Sequence, residues 1–301
     1  MRNQFANTLS KLASKNKKIF IVAADISPAG AMNEFQKKNP DRFINVGVAE
    51  QSMISICAGL AISKKKPFAY TIATFALYRP FEMIRNDLCY QNLPVTVVGM
   101  GAGTIYSTLG ATHLSQEDIS IARSIPNFQI LAPCDPNELK SCIEFCANNS
   151  KKPTYLRIGK AGEKNFSLNA EKWKFGKIRQ LCKGEKKCVL SYGPIISMAY
   201  KVKEKYNEKN FSIYSCHTIK PFDYDGLKKI FSKYKKILIL EDHSCIGGLS
   251  EIVKSYAYSF GYKGKIINFS LKDEFKHCYG SQKDLLKLHN ITIEGIHKSL
   301  K

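Results

Sequence analysis

Asn45-Val46-Gly47-Val48-Ala49-Glu50-Gln51 is the point where a short apolar run turns into an apolar helix with a carboxylate on its first turn. Phe43 to Val48 reads as a strand, and Ala49, Met53, Ile56, Cys57 and Leu60 then recur at helical spacing. Glu50 is therefore expected near the amino end of a helix with little polar surface of its own. A carboxylate placed there is pulled two ways. The helix terminus favours its charge, while burial against apolar neighbours favours the protonated form. Held out of water, such a group can give or take a proton near neutrality. The simpler reading is a carboxylate that only complements the helix dipole, and the segment alone favours it.

Outward from this segment, short β-branched runs alternate with helix-length stretches. Strands are expected at Ile19 to Ala24, Phe43 to Val46, Phe68 to Ile72, Val95 to Gly99, Gln129 to Leu131 and Thr154 to Ile158. A second series follows at Cys188 to Ser191, Phe211 to Tyr214, Ile237 to Leu240 and Ile266 to Phe269. Runs apolar on both faces and spaced by helices indicate parallel sheets of the doubly wound kind. Between the two series, Gly159 to Gly184 is rich in Lys, Gly, Asn and Glu and carries the only Trp, Trp173. It reads as an interdomain linker with a short anchoring strand. The expectation is an α/β protein of two doubly wound domains, 1–160 and 186–301, joined by a linker over 161–185.

Composition narrows the class. In 301 residues, 44% hydrophobic and 11% aromatic content is enough for real cores. No apolar stretch approaches membrane-spanning length, and Met1-Arg2-Asn3-Gln4-Phe5 opens without the apolar region of a signal peptide. Ten Cys occur without a Cys-x-x-Cys pair, and Cys142 and Cys146 have no nearby His. That pattern suits reduced, structural thiols in the cytoplasm and no metal site. The net charge of +21 is mostly Lys scattered through every segment. A groove-binding protein gathers Arg and aromatics on one face, so the charge reads as solvated surface and no nucleic-acid partner is expected.

Two further stretches carry chemistry. Thr71-Ile72-Ala73-Thr74-Phe75-Ala76-Leu77-Tyr78-Arg79-Pro80-Phe81-Glu82 follows a strand, and Ile72, Phe75 and Tyr78 are spaced by three, to one side of a helical turn. A wall of this kind can stack on a flat heterocycle; ordinary core packing is the competing reading. After the next strand come Gly99-Met100-Gly101-Ala102-Gly103 and Gly110-Ala111-Thr112-His113. Glycines there let backbone approach a ligand at the carboxyl edge of a sheet. His113 stands in this loop, with a structural role as its alternative. The chain has no Gly-Lys-Ser/Thr phosphate loop, no Gly-x-Ser-x-Gly elbow, no His-Glu-x-x-His and no Gly-Asp-Gly segment followed by a metal-holding Asn.

Gly47-Val48-Ala49-Glu50-Gln51 with Ala58-Gly59-Leu60-Ala61 resembles the pyrimidine-binding domain of transketolase. The resemblance continues through Thr71 to Arg85, Arg123-Ser124-Ile125-Pro126-Asn127 and Pro133-Cys134-Asp135-Pro136. It reaches the carboxyl-terminal segments His217-Thr218-Ile219-Lys220-Pro221-Phe222 and Glu241-Asp242-His243-Ser244 through Gly247-Gly248, so it spans nearly the whole chain. The family's amino-terminal half, which binds the diphosphate and Mg²⁺ of thiamine diphosphate, has no counterpart in these residues. The resemblance thus implies the carboxyl-terminal subunit of a split transketolase. It implies a partner chain holding most of the diphosphate and Mg²⁺ site, and an α₂β₂ heterotetramer.

By the same resemblance, Glu50 faces the N1′ atom of the cofactor's aminopyrimidine and favours the tautomer that takes the proton from thiazolium C2. A two-carbon ketol unit then passes from a ketose to an aldehyde. Ile72, Phe75 and Tyr78 match the wall around the pyrimidine, with Ile72 where an aromatic is usual. Asp25 matches an Asp near the cofactor, or else caps the turn that follows it. Arg2 matches an Arg that contacts substrate phosphate, Lys160 falls where a second Arg is usual, and His113 matches a substrate-contacting His. Glu50 and His113 are the implied catalytic residues. Three positions depart from the pattern. Lys160 cannot reproduce a bidentate contact, Gly101 falls where a phosphate-contacting His is common, and Leu109 replaces an acidic residue. Each lost polar contact is typically worth ~1–3 kcal/mol, so the sugar preference is expected to change, a nucleotide-linked sugar being one candidate. A β-type subunit acting on pyruvate or another 2-oxo acid is the first alternative, and a non-catalytic partner subunit the second.

Overall fold

The runs that are apolar on both faces become parallel strands. The computed structural model describes residues 1–26 and 31–301. Its strands are β1 (Ile19–Ala23), β2 (Phe43–Asn45), β3 (Lys66–Ile72), β4 (Thr96–Met100), β5 (Gln129–Leu131) and β6 (Thr154–Ile158). The chain continues with β7 (Arg179–Cys182), β8 (Lys187–Ser191), β9 (Phe211–Ser215), β10 (Thr218–Lys220), β11 (Lys236–Ser244) and β12 (Lys265–Leu271). Among the described residues these form a seven-stranded sheet, ordered β10-β5-β6-β4-β3-β1-β2, and a five-stranded sheet, ordered β12-β11-β8-β9-β7. All neighbours pair in parallel except β10 on β5 and β7 on β9, the antiparallel edges. Chain order reverses beside β1, so the first sheet has a switch point between β1 and β3, where α/β proteins open a ligand crevice.

Ten of these strands coincide with the expected runs; β7 falls in the linker, where a short anchoring strand is expected, and β10 has no counterpart in either series. β10 comes from the second half of the chain yet completes the first sheet. One apolar core accordingly runs from Val22, Met53 and Leu88 through Phe128 and Ile130 to Tyr192, Leu190 and Leu249. Separate cores fill the outer faces of the two sheets.

The stretch 161–185 is held down at several points. Asp135 caps the helix Pro136–Asn148 by accepting from the Glu138 N–H at 2.7 Å, with Pro136 at its first turn. The same carboxylate accepts from the N–H groups of Phe166 and Ser167, each at 2.7 Å. Arg179 of β7 reaches Glu138 at 3.3 Å, and Trp173 stacks on His217 with ring centres 5.1 Å apart. No helix among the described residues is long and apolar enough to cross a membrane.

Candidate functional site

The carboxyl ends of β1, β2, β3, β4 and β6 deliver the candidate residues to one edge of the first sheet. At the end of β2, the Asn45 side chain accepts from the N–H groups of Gly47 at 3.1 Å and Asp25 at 3.3 Å. Gly47 has a φ of 69°, a conformation open to glycine at little cost, and this reverses the chain into the helix Glu50–Ile62. Ala49, the residue before that helix, offers no side-chain cap, so Glu50 meets the free N–H end directly. Glu50 as a residue is buried, 5% exposed.

β3 runs straight into the short helix Ala73–Leu77, which carries Phe75 and leads to Tyr78 and Arg79. Arg79 Nη1 donates to Glu50 Oε1 at 2.7 Å, and the same guanidinium lies 4.1 Å from the Phe75 ring centre. The His113 ring stands edge-on to Phe75, centres 5.2 Å apart, and 6.3 Å from that of Tyr106. Lys160 Nζ lies 4.6 Å from the Tyr106 ring centre, and the Lys160 carbonyl accepts from the Arg2 N–H at 3.1 Å. One unbroken line of contacts thus runs from Glu50 through Arg79, Phe75, His113, Tyr106 and Lys160 to Arg2.

Two members of that line are not singled out by the sequence, Arg79 and Tyr106. Arg79 lies four residues after Phe75, the spacing at which side chains meet along a helix, and that is the signal that could have found it. Tyr106 is an aromatic in a glycine-rich loop, and its place is legible only once Gly101 is known to make room for it. With φ 69° at Gly101, a Cβ there would overlap the Tyr106 ring.

Tyr78 is fixed from behind. Its hydroxyl donates to Glu117 Oε2 at 2.8 Å and accepts from the Glu117 N–H at 3.2 Å. Burial, with the nearby Asp118 and Glu117 carboxylates, pushes this phenol far above its ordinary range, so it serves as a neutral donor. Burial also pushes the Tyr106 phenol up, with the Arg2 charge opposing. The Arg2 Nε is buried without a hydrogen-bond partner among the described residues, as for a group awaiting an acceptor.

Ile72 and Asp25 stand apart from the line. Ile72 closes β3, so helical spacing holds only from Ala73 onward. Ile72 packs on the outer core that contains Tyr106, whereas Tyr78 packs on the inner one. The three spaced residues therefore do not share one helix face, because the strand's geometry governs the first. Asp25 is exposed with a φ of 40° and lies on the same edge, tied to Asn45 by its N–H. The turn that an Asp25 cap would close includes 27–30, outside the described residues. Leu109 is 48% exposed just before Gly110, and Tyr279 from the second half of the chain packs beside Gly110.

The arrangement can hold a flat heterocycle. A buried carboxylate faces a planar N–H donor, and that donor lies on an aromatic ring. These are the contacts an aminopyrimidine needs.

Residues 1–162 match the family described as transketolase, pyrimidine binding domain, and residues 176–296 that described as transketolase, C-terminal domain. A putative transketolase C-terminal section of Methanocaldococcus jannaschii is 35% identical, covering 100% of this chain and 95% of the relative. An apulose-4-phosphate transketolase subunit of Phocaeicola vulgatus is 30% identical, covering 99% of this chain and 95% of the relative. The 1-deoxy-D-xylulose-5-phosphate synthase of Clostridium perfringens is 31% identical over 98% of this chain, which spans 48% of that enzyme. A split-gene transketolase solved as an inactive β4 tetramer superposes with a TM-score of 0.88 at 27% identity, covering 99% of this chain and 96% of that one.

Proposed function

This chain belongs to the transketolase family, and from that premise we propose that it is the carboxyl-terminal subunit of a two-chain, thiamine-diphosphate-dependent enzyme that transfers a two-carbon ketol unit between sugars. The observation that carries the reading is the buried Glu50 carboxylate at a helix start, joined through Arg79 to Phe75 and His113. In this reading residues 1–160 face the pyrimidine, 161–185 link, and 186–301 form the second unit. The partner chain holds most of the diphosphate and Mg²⁺ site in an α₂β₂ assembly in the cytoplasm. The apolar groups left exposed around the Glu50–Ile62 helix, Val48 (69%) and Ile62 (61%), suit a subunit contact.

The cofactor supplies an electron sink; the residues of this chain supply orientation and proton control. Glu50, buried at the helix start, holds a proton toward N1′ of the pyrimidine. Phe75 and Tyr78 flank the ring, and the Glu117 contacts keep Tyr78 from turning away. Asp25 approaches the cofactor from the neighbouring strand end. His113 handles a substrate hydroxyl, its ring held between Phe75 and Tyr106. Arg2 and Lys160 take a substrate anion, for which the unpartnered Arg2 Nε is the supporting observation. The exposed Leu109 favours a second reading, a 2-oxo acid donor, because it offers no hydrogen bond to a hydroxylated one.

The test is co-expression with the partner chain, followed by assay of carbonyl transfer from ketose phosphates against pyruvate. Ketol transfer is expected, and turnover of pyruvate alone would replace the first reading by the second. Absence of any thiamine-dependent turnover would leave a non-catalytic subunit. Glu50→Gln is expected to lower turnover of the assembled enzyme by ~10²–10⁴, the usual cost of losing a positioned acid or base. A change within about twofold would remove Glu50 from the proton path.

A further inference from the structure

We propose that Arg79 is a positioning residue that latches the pyrimidine side of the cleft shut, and that it withdraws when the cofactor enters. The inference rests on Glu50 being the pyrimidine-facing carboxylate. The Arg79 guanidinium already makes both contacts that an aminopyrimidine would need. It donates to Glu50 Oε1 at 2.7 Å, and it lies 4.1 Å from the centre of the Phe75 ring. A guanidinium is flat, delocalised and edged with N–H donors, so it imitates an aminopyrimidine in shape and polarity. One carboxylate oxygen and one ring face cannot serve both groups at once.

Of the two partners, Arg79 is the one that can leave. Its side chain is 46% exposed and sits in the turn between the helices Ala73–Leu77 and Phe81–Met83, whereas the Glu50 side chain is 6% exposed. The exchange also has a charge consequence. Beside the guanidinium, Glu50 is a carboxylate with its counter-charge in place. Once Arg79 swings into solvent, the buried Glu50 side chain is left without a partner until the incoming pyrimidine supplies one. The cofactor therefore has to displace Arg79 from Glu50, and opening the latch weakens apparent cofactor affinity.

The experiment is a calorimetric titration of the assembled two-chain enzyme with thiamine diphosphate. It compares wild type with Arg79→Gln and Arg79→Lys. Removing the latch is expected to tighten binding by about fivefold or more in Arg79→Gln, whereas loss of a mere support for Glu50 would weaken it. Arg79→Lys keeps the charge but cannot lie flat on Phe75, so it falls between the two. A thermal melt of each complex confirms assembly. Binding that is unchanged or weaker in both variants would overturn the latch and make Arg79 a simple support for Glu50. Failure of the wild-type complex itself to bind thiamine diphosphate would instead overturn the functional reading on which the latch rests.

Discussion

Gly101 and Tyr106 are a matched pair in which the smaller residue exists for the larger. Gly101 adopts a φ of 69°, and any Cβ there would meet the Tyr106 ring, which is 7% exposed between the His113 ring and the Lys160 ammonium. The space beside Gly101 is taken by an aromatic side chain. Two penalties then combine in Gly101→Ala, a strained backbone and a displaced ring. The expected loss is about 1–3 kcal/mol in chemical unfolding. Part of the loss is relieved when Tyr106 is also changed to Ala. Additivity of the two changes within ~0.5 kcal/mol would show that the ring is not what Gly101 accommodates.

At the scale of elements, what could be read from the chain depended on whether local pattern or distant packing decides the outcome. Runs such as Ile19 to Ala24 and Ile237 to Leu240 announce buried parallel strands because both faces are apolar. Arg179-Gln180-Leu181-Cys182 and Thr218-Ile219-Lys220 are short and half polar, and they become strands only because β9 and β5 offer edges to them. The site divides the same way. Glu50, Phe75, His113, Arg2 and Lys160 sit in recognisable segments, whereas Arg79 is placed by its pairing with Glu50 and Tyr106 by the room at Gly101 and the Lys160 ammonium, none of which the local pattern announces. The crossing between β9 and β10 also carries a pH dependence. His217 there is buried and stacked on Trp173, and its carbonyl accepts from the Ala132 N–H at 2.7 Å. Burial lowers its pKa from 6.5, with Glu138 opposing and Arg179 assisting. As pH falls below 6.5, the unfolded chain takes up this proton before the native state does, so stability is lost from there down through the lowered native value. Denaturant unfolding at about pH 7.5 and pH 5.5 should show the loss. His217→Asn, which keeps a polar atom near Nδ1 for Thr218, should flatten that part of the slope. An unchanged slope would assign it elsewhere, His289 being the other histidine whose pKa burial lowers.

Across the whole molecule, the two sheets are joined by buried charge as well as by apolar surface. Arg157 on β6 donates from Nε to Asp118 Oδ2 at 2.8 Å and from Nη2 to the Asp242 carbonyl on β11 at 2.8 Å. Tyr155 donates to the same Asp118 oxygen at 2.8 Å. Thr104, in the loop after β4, donates to the Asp242 carboxylate through its N–H at 3.0 Å and its hydroxyl at 2.8 Å. Asp118 directly follows Glu117, the residue that anchors Tyr78, so the support of Tyr78 and the joint between the halves share one short segment. Arg157→Met keeps the volume but leaves Asp118 and the Asp242 carbonyl buried without their partner, and should cost about 3–5 kcal/mol. Because the severed contacts lie on both sheets, unfolding should remain a single transition shifted as a whole, coincident by tyrosine fluorescence and far-ultraviolet circular dichroism. The assembled variant should also bind cofactor more weakly, because the Glu117 support of Tyr78 loosens with Asp118. Two separate transitions, only one of them moved, would mean that the halves are energetically independent and that the buried charges serve one of them alone.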